Sequence, residues 1–305
     1  MSRLHAHIGT FRQLELLLAL HDTGSVKAAA ETLHLTQPTV SMQLKKLAEA
    51  VGMPLYEQFG RRLHFTEAGL AVVATARQVL GSVSRLDMQL ADLRGMKAGT
   101  LKLAVVTTAK YFVPHLLGPF CERFPHVDVE LNVGNRSHII ERLRQGEDDF
   151  YVFSHLPAGM ALESTEFLPN PLVAIAPEHH ALASQKSIPL KRFAREPFLM
   201  REPGSGTRYA LERYLARRQV DLNVRMTIES NEAIKHAVMA GLGVSILSSH
   251  TLAFGGDAGL VVLDVAQLPI PTHWYLARPA GKAYSVLAQA FFDYLESDGR
   301  ALLRV

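Results

Sequence analysis

Residues 37 to 45 read Gln-Pro-Thr-Val-Ser-Met-Gln-Leu-Lys. Wound into a helix, Val40, Leu44 and Leu47 fall at i, i+4 and i+7, the spacing of a core stripe. Gln37, Thr39, Ser41, Met42, Gln43 and Lys45 are then left on the other face. Short polar side chains near a helix N-terminus can meet base edges and phosphates in a DNA major groove. The amides of Gln37 and Gln43 suit adenine edges, and Lys45 suits a phosphate. The solvated face of an ordinary helical hairpin has the same composition, so the surrounding elements must decide between the two.

A second set of residues is suited to holding an anion. Thr107 and Thr108, Asn135 and Arg136, His155, Arg201 and Asn231 each stand just after a short run that reads as a strand. Ligands of open α/β sheets collect at such strand ends, where helix N-termini point. Arg201 opens REPGSGTRYALERYL, in which Gly204 and Gly206 free the backbone so that amides can converge before a helix starting near Thr207. A plain helix-capping loop has the same appearance. Arg201 could instead pair with Glu202, Arg136 could pair with Glu141, and Asn231 either caps the helix EAIKHAVMAGLG or reaches a ligand. Gathered in one cleft, two threonines, two arginines and an asparagine suit a phosphate or carboxylate better than a neutral ligand.

The elements that must position the first set are helical. Phe11, Leu14 and Leu18 supply one helix. Ser25 caps a second, whose Ala28, Ala29 and Ala30 admit a close neighbour. Thr36 offers an oxygen to cap the third, with Pro38 in its first turn. Residues 55 to 65, LYEQFGRRLHF, then read as a strand hairpin with Gly60, Arg61 and Arg62 as a basic tip placed to touch a DNA backbone. Three helices and a basic wing together leave little to the solvated-hairpin alternative. From Thr66, a plausible N-cap, to about Arg94 there is no proline, and Leu70, Val73, Leu80, Val83 and Leu90 keep a nearly heptad seam. A small reading domain cannot cover such a helix, so a partner helix is its natural cover, and a homodimer supplies two reading heads.

From Leu101 the pattern changes to β-branched runs alternating with helices, with Gly95, Gly99 and Thr100 marking the boundary. Runs at 101–106, 127–133, 150–153, 172–176, 198–200, 225–229 and 244–247 predict strands, arranged as parallel sheets in the doubly wound manner. About 200 residues is too long for one small open sheet, so two α/β subdomains facing a cleft are expected.

Composition narrows the function classes. The net charge of +3 sits wholly in residues 1 to 99, with 11 Lys/Arg against 8 Asp/Glu, while the remainder balances at 21 against 21. The single cysteine, Cys121, lies in an apolar stretch and reads as a core residue in a reducing cytosol. No signal peptide or membrane span is legible, and a cytoplasmic location without membrane association is expected. Ser205 lacks the nucleophile-elbow glycines, and neither a Walker lysine nor a dinucleotide fingerprint follows a strand. The histidine pair His179 and His180 reads as loop, and His5 and His7 as tail. No catalytic residue, metal centre or bound cofactor is expected. A solute-binding protein of a transport system would share the two-lobed half but needs export and gives no purpose to the first 95 residues.

The small residues at Ala29 and Ala30, LHLTQPTVS, LYEQ and TEAG, at this spacing, resemble the DNA-binding domain of the LysR-type transcriptional regulators. The resemblance places Gln37, Pro38, Ser41, Met42 and Lys45 at the operator, with Arg61 and Arg62 on the wing. Many relatives carry arginine where this chain has Met42. The strings TTAKYFVPHLLGPFCERFP, NRSHIIERL, EDDFYVF, REPGSGTR and SNEAIKHAVMAGLGVSILS are similar to the subgroup that controls Calvin-cycle carbon-fixation operons, the CbbR type. It implies an α/β multidomain chain. A winged helix-turn-helix would span residues 1–65 and a linker (dimerisation) helix 66–96. A two-subdomain effector-binding domain resembling periplasmic binding proteins would span 100–305. It further implies an activator of RuBisCO operons, a phosphorylated metabolite or NADPH as effector, a homotetramer, and RNA polymerase as partner. A LysR-type regulator of aromatic or amino-acid metabolism is the alternative.

Overall fold

A computed structural model describes residues 9–59, 62–93, 99–281 and 284–303 of the chain. By internal contacts the chain divides into two compact units that meet between Leu90 and Ala91.

The first unit is built on α1 (Phe11–Thr23), α2 (Val26–Thr32) and α3 (Gln37–Val51), followed by the hairpin β1 (Tyr56–Phe59) and β2 (Arg62–Phe65) and the long helix α4 (Glu67–Leu93). Its core joins Leu16, Leu17 and Leu20 of α1, Ala29 and Ala30 of α2, and Val40, Leu44 and Leu47 of α3 with Leu55 and Val73. The α3 stripe is therefore as the spacing predicts. The α1 face is not: Leu14 and Leu18 only flank the core, and Phe11, at the first turn, is 57% exposed. The true stripe runs through Leu16, Leu17 and Leu20, a half-turn away.

Caps set the helix starts. Thr10 and Gln13 form a reciprocal capping box on α1, and Ser25 accepts from the amide of Ala28 on α2. Thr36 holds the cap position of α3 without capping it, because its hydroxyl bonds that of Thr39 at 2.8 Å instead. Thr66 does cap α4, accepting from the Gly69 amide at 3.0 Å. Gly69 has a packing reason as well: a Cβ there would lie 1.8 Å from the carbonyl oxygen of Leu55. The 27 residues of α4 span about 40 Å. Its expected seam divides in two, since Val73 is buried in the helical core while Leu70 is exposed and Leu80 and Val83 are half-buried; Leu86, outside that seam, is exposed, and the side chain of Leu90 lies outside the described residues. The helix thus serves its own domain at one end and offers apolar surface further along.

The second unit has two lobes. In the first, β3 (Gly99–Val106), β4 (Val127–Gly134) and β5 (Phe150–Phe153) run parallel, linked by a 3-10 turn at Thr107–Tyr111 and by α5 (Val113–Arg123) and α6 (Arg136–Gln145). Cys121 on α5 is only partly buried rather than a core residue. Two strands absent from the sequence reading, β6 (Leu162–Pro169) and a late strand at His273–Pro279, complete a sheet in which the late strand lies antiparallel between β5 and β6.

The second lobe carries β7 (Leu172–Pro177), α7 (Leu190–Phe193), β8 (Phe198–Arg201), α8 (Gly206–Ala216), β9 (Val224–Ile228), α9 (Asn231–Met239), β10 (Ser245–Ser248), α10 (Ser249–Ala253) and β11 (Leu260–Val262). Here β10, β7 and β11 pair antiparallel, and β8 pairs β9 in parallel. The strand at 273–279 is β12, and α11 (Val286–Tyr294) follows it back in the first lobe. The expectation of purely parallel, doubly wound sheets is thus corrected to one mixed five-stranded sheet in the first lobe and, in the second, an antiparallel three-stranded sheet beside a parallel pair. The cause is topological: the chain leaves the first lobe after β6 and re-enters it only at β12, from the opposite direction.

The two crossings are tied to each other. The amide of Asn170 donates to the Thr272 carbonyl at 2.7 Å, and Leu172 and Ile270 exchange backbone bonds at 2.9 Å. The Ser248 hydroxyl donates to Asn170 Oδ1 at 2.6 Å. A paired double strand of this kind is a natural hinge between lobes.

Candidate functional site

The polar face of α3 forms as the spacing requires. With Val40, Leu44 and Leu47 fully buried, Gln37, Pro38, Ser41, Met42 and Lys45 are exposed, and Thr39 is half-buried by its bond to Thr36. Among the described residues Lys45 is steered only by Glu49, at 4.0 Å and with both side chains in solvent, so it remains available to a phosphate. Gln43 is not free: its Oε1 accepts from Gln13 Nε2 at 3.0 Å, which ties α3 to α1 and removes it as a simple base reader. The T-x-x-Q capping pattern at Thr10 marks Gln13 in the sequence, although not this second bond. In the hairpin, Phe59 pairs with Arg62 across the two-residue tip. Gly60 and Arg61 lie outside the described residues, as does the side chain of Arg62.

The anion-seeking residues of the second unit do converge. Val106, Thr107 and Thr108 at the end of β3, Asn135 and Arg136 at the start of α6, Ser154 after β5, Arg201 at the end of β8, and Ser205, Gly206 and Thr207 at the start of α8 line one narrow pocket, whose interior of about 10 Å³ has room for a single water between the lobes. Two helix starts, those of α6 and α8, therefore face it with the positive ends of their dipoles, an arrangement that favours negative charge. Ser154 was not singled out in the sequence, and Ser205 and Gly206 figured there only as members of the Gly-Ser-Gly-Thr turn. Ser205 is the cap of α8, and Ser154 directly follows the expected strand 150–153, so strand ends and caps were the available signals.

Glycine permits this closeness. A Cβ on Gly206 would lie 2.8 Å from Ser154 Oγ, in the opposite lobe, and one on Gly204 would lie 2.7 Å from Ser137 Oγ. Gly204 also has φ +88°, a left-handed backbone that disfavours other residues. The Gly-Ser-Gly-Thr turn thus does both jobs considered for it, capping α8 and lining the pocket.

Arg201, 3% exposed, is committed to its own lobe: Nε and Nη2 grip the Glu202 carboxylate at 2.7 and 3.0 Å, and Nη1 donates to Asn231 Oδ1. Asn231 is not the cap of α9, since Ser230 takes that place. Its Nδ2 crosses to Thr108 Oγ1 at 3.1 Å. It lies behind the pocket wall and not on it. A second crossing joins Tyr111 to Glu232 at 2.6 Å, with Lys235 against Glu232 and the Gly255 carbonyl.

Among the described residues Arg136 has no such neutralising partner. It does not pair with Glu141, which holds Arg144 and Gln145. It donates instead to the carbonyls of His155 and Leu156, both at 3.4 Å. His155 stands beside the pocket, and burial first, then Arg136 and Arg213, lowers its pKa to about 4. The imidazole is neutral near pH 7. With Arg201 neutralised by Glu202, the positive potential of the pocket comes from Arg136 and the helix starts.

Among the described residues no cluster of three or more His, Cys, Asp or Glu could hold a metal ion. No described helix is long and apolar enough to cross a membrane.

Comparison with known proteins supplies the context. Residues 11–70 match the family described as bacterial regulatory helix-turn-helix protein, lysR family, and residues 94–300 match the LysR substrate binding domain. The transcriptional activator CmpR of Synechocystis sp. is 47% identical over 96% of this chain and 97% of its own length. The RuBisCO operon transcriptional regulator of Acidithiobacillus ferrooxidans is 40% identical over 97% of this chain and 95% of its own. Among solved structures, the Synechocystis CcmR regulatory domain in complex with 2-PG is 47% identical, covers 64% of this chain and 95% of that one, and gives a TM-score of 0.62. Full-length CbnR complexed with its target DNA, at 22% identity, covers 94% of this chain and 99% of that one with a TM-score of 0.70, which establishes likeness of fold.

Proposed function

The chain belongs to the LysR family of bacterial transcription regulators, and from that premise we propose that it activates carbon-fixation genes of the RuBisCO and Calvin-cycle type in response to a small anionic metabolite. Membership makes it a DNA-binding regulator rather than an enzyme. The observation that carries the choice of target is likeness along nearly the whole length to regulators of RuBisCO operons, 40% identical in one case.

The effector in this reading is a phosphorylated metabolite or NADPH, held at Thr107, Thr108, Asn135, Arg136, Arg201 and Thr207, with Asn231 and His155 beside the lining. The polar lining and the unneutralised Arg136 support an anion. On the DNA side, Gln37, Pro38, Thr39, Ser41 and Met42 face the bases, and Lys45, Arg61 and Arg62 the phosphates. The exposed part of α4 pairs with a second copy, two dimers make a tetramer, and the assembly works on RNA polymerase in the cytoplasm. A ligand that prefers one arrangement of the lobes shifts the population of quaternary states, and with it the spacing of the reading heads.

Footprinting and bending assays on carbon-fixation promoter DNA test this, with and without sugar phosphates, NADPH and 2-PG, the compound of the CcmR complex. A protected site whose extent and bend change with a phosphorylated compound is expected. Protection that none of them alters would sink the effector reading, and no protection at all would sink the target. Lys45→Ala should weaken binding to all sequences alike and lower the salt slope by about 1, whereas Gln37→Ala should cost about 1–3 kcal/mol and relax base preference at one position.

A further inference from the structure

At the rim of the pocket, Tyr209 on α8 gathers three nitrogen-bearing side chains from both lobes. The guanidinium of Arg136 lies 5.0 Å from its ring centroid and that of Arg213 5.4 Å. Arg213 also donates to the Tyr209 hydroxyl at 3.2 Å. The ring of His155 meets it edge-on, with centroids 5.7 Å apart. Arg136 and His155 belong to the first lobe, Tyr209 and Arg213 to the second.

The acids near this cluster are engaged elsewhere. Glu212 pairs with Arg208 at 2.7 Å, Glu202 with Arg201 at 2.7 Å, and Glu141 with Arg144 at 3.4 Å. Among the described residues no carboxylate pairs with Arg136 or Arg213. The buried Nδ1 of His155 has no hydrogen-bond partner either. Both guanidiniums help depress the His155 pKa to about 4, after burial itself, so their positive field is felt at this point. Two arginines drawn from facing lobes to one aromatic ring without a counter-charge repel each other, and an anion bound beside them turns that repulsion into attraction.

We propose that Arg136, Arg213, Tyr209 and His155 form a second anion subsite, at the rim of the pocket and distinct from its hydroxyl-lined floor. Arg136 is shared by the two, since it also lines the pocket. The effector class that follows is a compact metabolite with an anionic group at each end, one over the starts of α6 and α8 and the other at the guanidiniums that share the Tyr209 ring. This rests on the phosphorylated-effector reading above and narrows it. Binding at the rim draws on both lobes at once, so the second anionic group supplies differential affinity for the closed arrangement.

Isothermal titration of the full chain with glycerol 3-phosphate and 3-phosphoglycerate tests it. These probes share a three-carbon phosphate and differ by a hydroxymethyl against a carboxylate. We expect 3-phosphoglycerate to bind about tenfold or more tightly, the worth of one charge-assisted contact. Arg213 is exposed on α8, so its replacement leaves the fold intact. Arg213→Gln should bring the ratio of the two affinities to about one, and Arg213→Lys should keep part of it. Equal affinities in the unaltered chain, or a ratio that survives Arg213→Gln, overturn the rim subsite alone. Loss in Arg213→Lys as complete as in Arg213→Gln assigns the effect to packing on Tyr209 and overturns the charge argument. Binding of neither probe overturns the phosphorylated-effector reading and the subsite with it.

Discussion

Asn231 joins the lobes through a single side chain: its Nδ2 donates to Thr108 Oγ1 at 3.1 Å while its Oδ1 accepts from Arg201. All three residues are buried. Truncation in Asn231→Ala leaves one Arg201 proton and the Thr108 hydroxyl without this partner, a loss of about 1–3 kcal/mol. Thr108→Val, which removes only the far end of the bridge, should cost about 1 kcal/mol. Denaturant unfolding of the effector-binding domain measures both. A change within experimental error for Asn231→Ala would show that the crossing is replaced by water and does not hold the lobes.

Arg201 is predicted to be a structural ion rather than the effector's main partner. Arg201→Met strands the Glu202 carboxylate, itself 6% exposed, and breaking a buried pair from one side costs about 3–5 kcal/mol. The double variant Arg201→Met/Glu202→Leu should recover most of that stability. If Arg201→Met instead unfolds at the normal denaturant concentration and loses only effector binding, Arg201 reads the ligand directly and Arg136 is the lesser partner.

These two cases mark how far the sequence could be read. Strand ends and helix starts were legible from β-branched runs and capping residues, which is why Thr107, Asn135, Arg136, Arg201 and Thr207 were expected together and do line one pocket. The neutralisation of Arg201 by Glu202 was visible as one of two alternatives, and only burial decides it. Contacts across lobes, such as Ser154 with Gly206 or Asn231 with Thr108, have no signature in local pattern, since they join residues far apart in the chain. β12 was missed for a related reason. Its residues HWYLARP alternate weakly, and its place in the first sheet depends on a chain reversal after the whole second lobe. In the helical unit the error at Phe11 was one of phase: α1 is apolar around much of its circumference, so several stripes fit and tertiary packing selected Leu16, Leu17 and Leu20.

Gly69 is a poor helix former within the first turn of α4, and its packing gives that choice a reason. Gly69→Ala improves helix propensity by about 1 kcal/mol, but the added methyl meets the Leu55 carbonyl at 1.8 Å and must displace backbone. Overpacking of this severity costs about 1–3 kcal/mol, at the upper end where backbone must move. The expected result is a lower melting temperature for the helix-turn-helix unit and weaker operator binding, with effector affinity unchanged. A variant more stable than the parent would mean that α4 and the Leu55 turn can slide apart freely.

Stability should fall on acidification through two histidines. The pKa of His250 is lowered from 6.5 to about 4 by burial, as that of His155 is by burial, Arg136 and Arg213. His250 packs against Phe112, Phe254 and Trp274, and its Nδ1 accepts from Trp274 Nε1 at 3.4 Å. Protonation of Nδ1 abolishes that acceptor. Between pH 6.5 and 4 the unfolded chain binds these protons while the folded chain does not, so unfolding takes up protons and becomes easier as pH drops. The contribution is complete above pH 6.5 and is lost as pH falls toward 4. Melting temperatures across pH 4 to 8 should therefore decline on the acid side, and His250→Phe, which keeps an aromatic ring in the cluster and cannot titrate, should flatten part of the decline. A pH profile unchanged by that substitution would mean that His250 is already protonated in the folded chain or titrates with its ordinary pKa.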